Sequence, residues 1–97
     1  MLFAVICADK PAHLNLRVET RPAHVEWLNG LNAAGTLKIG GPFLDADGKP
    51  CGSMLLIAAA DLEAAKAIAA EDPYAKAGLF ANVEIKPYNW VFNNPEA

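Results

Sequence analysis

His24 follows Arg21 by three residues and Arg17 by seven, a spacing that sets all three on one ridge of an α-helix with Leu28 and Leu31. An imidazole titrates near neutral pH, so a histidine beside cations on the edge of an inward face suits general acid–base work. Such a base needs a carboxylate to orient it, and Asp72, placed before Pro73, is the candidate. The proline bars Asp72 from comfortable α geometry and so holds its carboxylate at a rigid corner. Arg17 and Arg21, if they line a cleft beside His24, would hold an anionic group such as a carboxylate or a phenolate. The chemistry on offer is proton transfer on a small molecule, with no covalent step required.

Each of these residues also has a plainer role. A histidine on a helix edge can bond to backbone, and helix arginines usually face solvent. An Asp before Pro is a preferred N-cap with the proline at the first helical position. Cap and catalysis are compatible, because one carboxylate oxygen can accept the cap bond while the other faces an imidazole. Gly40-Gly41-Pro42 reads as a strand bend or bulge, and second as a place where backbone approaches a ligand; it matches no phosphate-loop pattern. Ser53 lacks the neighbours of a nucleophile elbow, and His13, Asp9 and Glu19 lack metal-ligand spacing. Cys7 and Cys51 have no Cys-x-x-Cys spacing and read as two thiols. No metal or cofactor is expected.

The elements that must position these groups follow from patterning. Leu2 to Ala8 is a short apolar run suited to a buried strand, and Asp9 can cap a helix entered through Pro11. From Ala12 to Ala34 helical spacing dominates, with Leu14, Val18, Val25, Leu28 and Leu31 as the inward stripe. Pro22 interrupts it, so the spacing predicts either one kinked helix or two pieces, the second capped by Thr20; Gly35 ends it. Thr36 to Phe43 reads as a second strand broken at Gly40-Gly41-Pro42. Asp45 to Lys49 turns it into a third, about Cys51 to Ala59. Asp61 caps a helix from Leu62 to about Glu71, with Leu62, Ala65 and Ile68 or Ala69 inward. A short helical turn follows Asp72-Pro73 and reaches Gly78, and a last strand runs from Val83 to about Phe92.

The sum is β-α-β-β-α-β, the order of a ferredoxin-like α+β fold with both helices on one face of a four-stranded antiparallel sheet. Ninety-seven residues, 54% of them hydrophobic and 20% charged, make one folded domain spanning 1–97. The net charge of -3 comes with no basic stripe, which argues against nucleic acid as a partner. Leu2 to Ala8 has no positive flank and is too short for a membrane span, so the chain reads as cytoplasmic. Strands one and three are apolar at both parities, although helices cover only one face. The bare face would expose roughly several hundred Å², which predicts a homodimer packed through the sheet faces.

Arg17, Arg21-Pro22-Ala23-His24, Gly40-Gly41-Pro42, Gly52-Ser53, Asp72-Pro73-Tyr74 with Gly78, and Lys86-Pro87 recur in an order and spacing that resembles the YciI family of small bacterial proteins. The resemblance runs from Met1 to about Phe92. It implies a dimeric α/β barrel of ferredoxin-like subunits and a pocket built around a His and Asp pair, here His24 and Asp72. Arg17, Arg21, Gly41, Pro42, Ser53 and Tyr74 match positions that line or shape that pocket. The segment between Phe43 and Gly52 is short for the family, which bears on any loop-borne substrate contact. Most of the family has no assigned reaction. A related dehydrochlorinase acting on a chlorinated hydroxyhydroquinone suggests proton transfer on a small phenolic or enolic substrate. The alternative is a non-catalytic module that binds a small ligand or acts as an accessory through its dimer.

Overall fold

The structure, a computed structural model, describes residues 1–96. Strand β1 (Leu2–Asp9) leads to helix α1 (Leu14–Ala33), strands β2 (Leu37–Leu44) and β3 (Pro50–Ala58), helix α2 (Leu62–Ala70), the short helix α3 (Pro73–Lys76) and strand β4 (Phe80–Tyr88). The sheet is antiparallel in the order β2-β3-β1-β4. This is the ferredoxin-like arrangement, with the two central strands contributed by the two most apolar runs of the chain.

Helix α1 is continuous through Pro22. Proline removes the hydrogen bond to the Val18 carbonyl, but Val18 is 61% exposed and Pro22 is exposed, so the interruption lies on the solvent side. Thr20 therefore caps nothing. Asp9 does not cap this helix either: it ends β1, while His13 holds the N-cap position with no side-chain cap bond. The C-terminus closes as a Schellman motif, with Gly35 N bonding Asn32 O at 3.0 Å and Thr36 N bonding Leu31 O at 2.9 Å. Gly35 takes φ +77, a left-handed backbone that glycine adopts without steric cost.

Gly40-Gly41-Pro42 does not break β2, which runs unbroken from Leu37 to Leu44; the register shifts flank the triplet, between Leu37 and Ile39 and between Phe43 and Leu44. Proline is tolerated because β2 is an edge strand with one unpaired side. A Cβ on Gly40 would come within 2.8 Å of Leu55 Cδ2, so the strand lies close over β3. Strand β4 starts three residues earlier than the alternation suggests, because Phe80 pairs with Asp9 beyond an irregularity at Ala8/Asp9. It also ends at Tyr88 rather than near Phe92.

The core lies between the sheet and the helices. Phe3, Val5 and Cys7 of β1 pair with Ile57, Leu55 and Ser53 of β3, and Ala65 of α2 closes over them. Leu62 is not inward; it is 37% exposed at the first turn of α2. On the opposite face the residues after β4 supply part of a cover. Trp90 joins Ala4, Ile6, Ile39, Met54 and Leu56 around one cavity, and Glu96 bonds Lys38 of β2 at 2.8 Å. β4 and β2 are opposite edges, so this segment crosses the sheet. The outer face is thus not wholly bare, although Ile39, Phe43 and Tyr88 stay substantially exposed. Among the described residues no helix is long and apolar enough to cross a membrane.

Candidate functional site

Helix α1 buries two residues, and both are polar: Arg17 and His24. The apolar stripe expected to face inward is only half-buried at Leu14, Val25, Leu28 and Leu31, and Val18 is exposed at the mouth of a pocket. Burying a guanidinium and an imidazole is costly unless each is paired. Both are.

Arg17 is held by Asp9, with Nε donating to Oδ2 at 2.7 Å and Nη2 to Oδ1 at 2.8 Å. Nη2 also donates to Ser53 Oγ at 2.9 Å. This fork-to-fork geometry fixes the plane of the guanidinium as well as its position. Burial works against the Arg17 cation, but the hydrogen bonds to Asp9 and its charge outweigh that cost and hold the group above its ordinary range. Asp9 is the residue that sequence reasoning missed. Its signal was its place two residues beyond Cys7 on the inward parity of β1, opposite in sign to a nearby arginine.

His24 Nδ1 lies 2.7 Å from Asp72 Oδ1, and because a carboxylate only accepts, Nδ1 carries the proton. The same Oδ1 accepts the cap bond from Tyr74 N at 2.9 Å. The expected division of labour between the two carboxylate oxygens is therefore replaced by one atom doing both tasks. Pro73 sits at the start of α3 and Asp72 at its N-cap, as the Asp-Pro corner requires.

The Tyr74 ring stacks on the imidazole with centroids 3.9 Å apart and planes at 19°, and Arg17 Cζ lies 4.6 Å from the same ring centroid. Trp27 flanks His24 at 6.0 Å. No buried side-chain nitrogen or oxygen among the described residues lacks a hydrogen-bond partner. His24 Nε2 makes no bond to protein and so reaches open space, while the Arg17 guanidinium and the Tyr74 hydroxyl meet at the same place.

That space is a pocket of about 270 Å³ between α1, β2 and β3. Arg17, Arg21, His24, Gly41, Pro42, Ser53 and Tyr74 all line it, and Asp72 stands behind the imidazole. Gly41 has open space where a Cβ would go, so it shapes the wall without a close backbone approach. Val18, Val25, Leu28, Pro50 and Leu55 add an apolar lining. Arg21 is exposed at the rim, and no carboxylate pairs with it among the described residues. Also among the described residues, no cluster of three or more His, Cys, Asp or Glu is placed to hold a metal ion. A pocket with apolar walls, one imidazole lone pair and several N–H and O–H donors suits a small, flat molecule that carries or develops negative charge on oxygen.

Comparison with known proteins places this site in context. Residues 1–89 match the YCII-related domain. Protein YciI of Escherichia coli O6:H1 is 36% identical over 98 residues, covering 95% of this chain and 100% of that protein. The structure of 5-chloro-2-hydroxyhydroquinone dehydrochlorinase (TftG) from Burkholderia phenoliruptrix AC1100, in complex with 2,5-dihydroxybenzoquinone, superposes with a TM-score of 0.84 at 32% identity, covering 92% of this chain and 94% of that one. An antibiotic biosynthesis monooxygenase shares the fold alone, with a TM-score of 0.55, 13% identity, and 94% and 99% of the two chains covered.

Proposed function

The chain belongs to the YCII-related domain family, and from that membership together with the site geometry we propose that it is a small enzyme that moves a proton on a phenolic or enolic substrate through His24. One observation carries the reading: an imidazole whose Nδ1 is tied to a buried carboxylate while its Nε2 opens on a pocket. The likeness to a dehydrochlorinase adds support for enzyme-like chemistry on a small molecule.

Nε2 takes a proton from the substrate. The electron pair left behind stays on the substrate, either resting on oxygen or expelling a leaving group, such as chloride, that departs with its own bonding pair. Asp72 holds the imidazole in the tautomer with a free Nε2 lone pair and stabilises the imidazolium once formed. Arg17 Nη1 and the rim guanidinium of Arg21 attract the anion, while Gly41, Pro42 and Ser53 shape the walls.

The test measures chloride released from 5-chloro-2-hydroxyhydroquinone by the wild type, His24→Ala and Asp72→Asn, alongside the thermal melt of each. Loss of about 10²–10⁴-fold in rate with the fold retained is the expected result. Variants that release chloride as fast as the wild type would sink the reading. A second reading, a non-catalytic module for a small anion, draws on the cap bond from Tyr74 N, which gives Asp72 a structural duty regardless of chemistry. Quinone uptake by the wild type with no turnover would favour it.

We also propose a homodimer through the outer sheet face. Ile39, Phe43 and Tyr88 on β2 and β4, and Val91 and Phe92 on the segment that crosses the sheet, leave apolar surface for a second copy to bury. Sedimentation showing a monomer that persists at high concentration would remove this proposal.

A further inference from the structure

Tyr74 is 2% exposed, one of the largest side chains in the interior, and its hydroxyl has one polar neighbour, the Arg17 guanidinium, which can only donate to it. A buried phenol normally finds a hydrogen-bond partner. Here the guanidinium bond uses the phenol oxygen as acceptor and leaves its proton free, and Tyr74 lines the pocket with its ring stacked on the imidazole that the proton-transfer reading makes the base. We propose that the Tyr74 hydroxyl is a catalytic residue, donating a hydrogen bond to the substrate oxygen on which negative charge gathers as His24 Nε2 removes a proton. This rests on the proton-transfer reading of the site and assigns a task within it.

The surroundings set the direction of that bond. The groups facing the phenol are donors: the Arg17 guanidinium bonds to its oxygen, Arg21 stands at the rim, and neither guanidinium can accept. Asp9 is engaged by two bonds from Arg17 and Asp72 Oδ1 by two bonds from His24 and Tyr74 N, and the remaining Asp72 oxygen is not bonded to the phenol. The phenol proton is left to seek an acceptor in the cavity, and the substrate is the source of one. Burial raises the Tyr74 phenol above its ordinary value, although Arg17 and Arg21 pull it back, so the proton stays on oxygen at neutral pH.

The donor is also held still. Its ring is clamped between the imidazole stack and the Arg17 guanidinium, and its backbone is tied at both ends, N to Asp72 Oδ1 and O to Leu79 N at 3.1 Å. A donor fixed before the charge appears needs no reorganisation when it does, which is where such groups gain their effect. The balance is simple: the substrate proton goes to His24 Nε2, its electron pair delocalises onto the substrate oxygen, and Tyr74 keeps its own proton.

Tyr74→Phe retains the ring and both stacks and deletes only the hydroxyl. Two titrations of the full chain decide the matter. In the first, 2,5-dihydroxybenzoquinone is added to wild type and variant and followed by its absorbance, with chloride release from 5-chloro-2-hydroxyhydroquinone as the rate. The expected result is binding weakened about 10- to 100-fold and a rate lowered about 10²–10³-fold, with the melting transition retained. Equal binding and equal rate in the variant overturn this inference and leave the proton-transfer reading intact. A wild type that neither binds the quinone nor releases chloride overturns the reading, and the inference with it. In the second, phenolate absorbance is titrated in wild type and variant; the chain has two tyrosines, so the difference isolates Tyr74. Titration above the ordinary value of 10.0 is expected. Ionisation below neutral pH would make the group an acceptor and overturn the inference.

Discussion

The two ends of the core differ in kind. Along β1 the inward side chains run Phe3, Val5, Cys7 and then Asp9, and along β3 the matching run is Ile57, Leu55 and Ser53. One end is closed by Ala65 of α2, which is 0% exposed; the other is closed by Arg17 and His24 of α1. The same sheet therefore carries a packed hydrocarbon interior that grades, strand position by strand position, into a network of charge and hydrogen bonds. The first end follows the binary pattern expected of any globular protein. The second departs from it by burying paired charge where hydrocarbon would fit, a kind of departure that clusters at functional or strained sites.

The largest way to break this contrast is Arg17→Ala. It strands the Asp9 carboxylate, whose side chain is 7% exposed, and should cost roughly 3–5 kcal/mol in urea denaturation. Removing both charges with Asp9→Ala in the same chain should return a large part of that loss, because no buried ion is then left unpaired. If the single variant is as stable as the wild type, the polar end is not the buried network described.

At the apolar end, Ala65→Leu should cost about 1–3 kcal/mol by overpacking while leaving the proposed uptake of 2,5-dihydroxybenzoquinone unchanged. An effect on binding equal to that of Asp72→Asn would erase the distinction between the two ends.

Cys7 sits at the boundary and senses both sides. Burial, helped by the charge of Asp72 and Asp9 and opposed by Arg17, pushes its thiol from 9.0 up to about 12. In that window the unfolded chain releases the thiol proton and the folded chain keeps it, so stability is intact below pH 9 and falls as pH rises toward 12. The decline is at most about 1.4 kcal/mol for each pH unit. A denaturation series should show Cys7→Ala with a shallower alkaline slope than the wild type.

How far the chain could be read in advance follows the same divide. Strands β1 and β3, α2 and the Asp72-Pro73 corner announce themselves through local rules of alternation, capping and proline geometry. His24 and Asp72 were legible as a pair because helical spacing and a proline-fixed corner each restrict one partner. Asp9 was not, because its local context resembles a helix cap, and its bond to Arg17 depends on how α1 lies over the end of β1. The stretch from Tyr88 to Phe92 misled for a similar reason. Its aromatics suit a strand, but only tertiary contact reveals that Trp90 lies over the outer sheet face and that Glu96 reaches Lys38.

The doubly used oxygen of Asp72 links local opening of the chain to the orientation of the His24 imidazole. Because Oδ1 accepts both the Tyr74 amide and the imidazole, α3 cannot fray at its first turn without loosening the group that orients His24. The Tyr74 amide is consequently a gauge of this corner: exchange of its hydrogen with solvent reports openings that release one of the two bonds on Asp72 Oδ1. Protection of one backbone proton would then report how often the Asp72-Pro73 corner opens, with no ligand present at all.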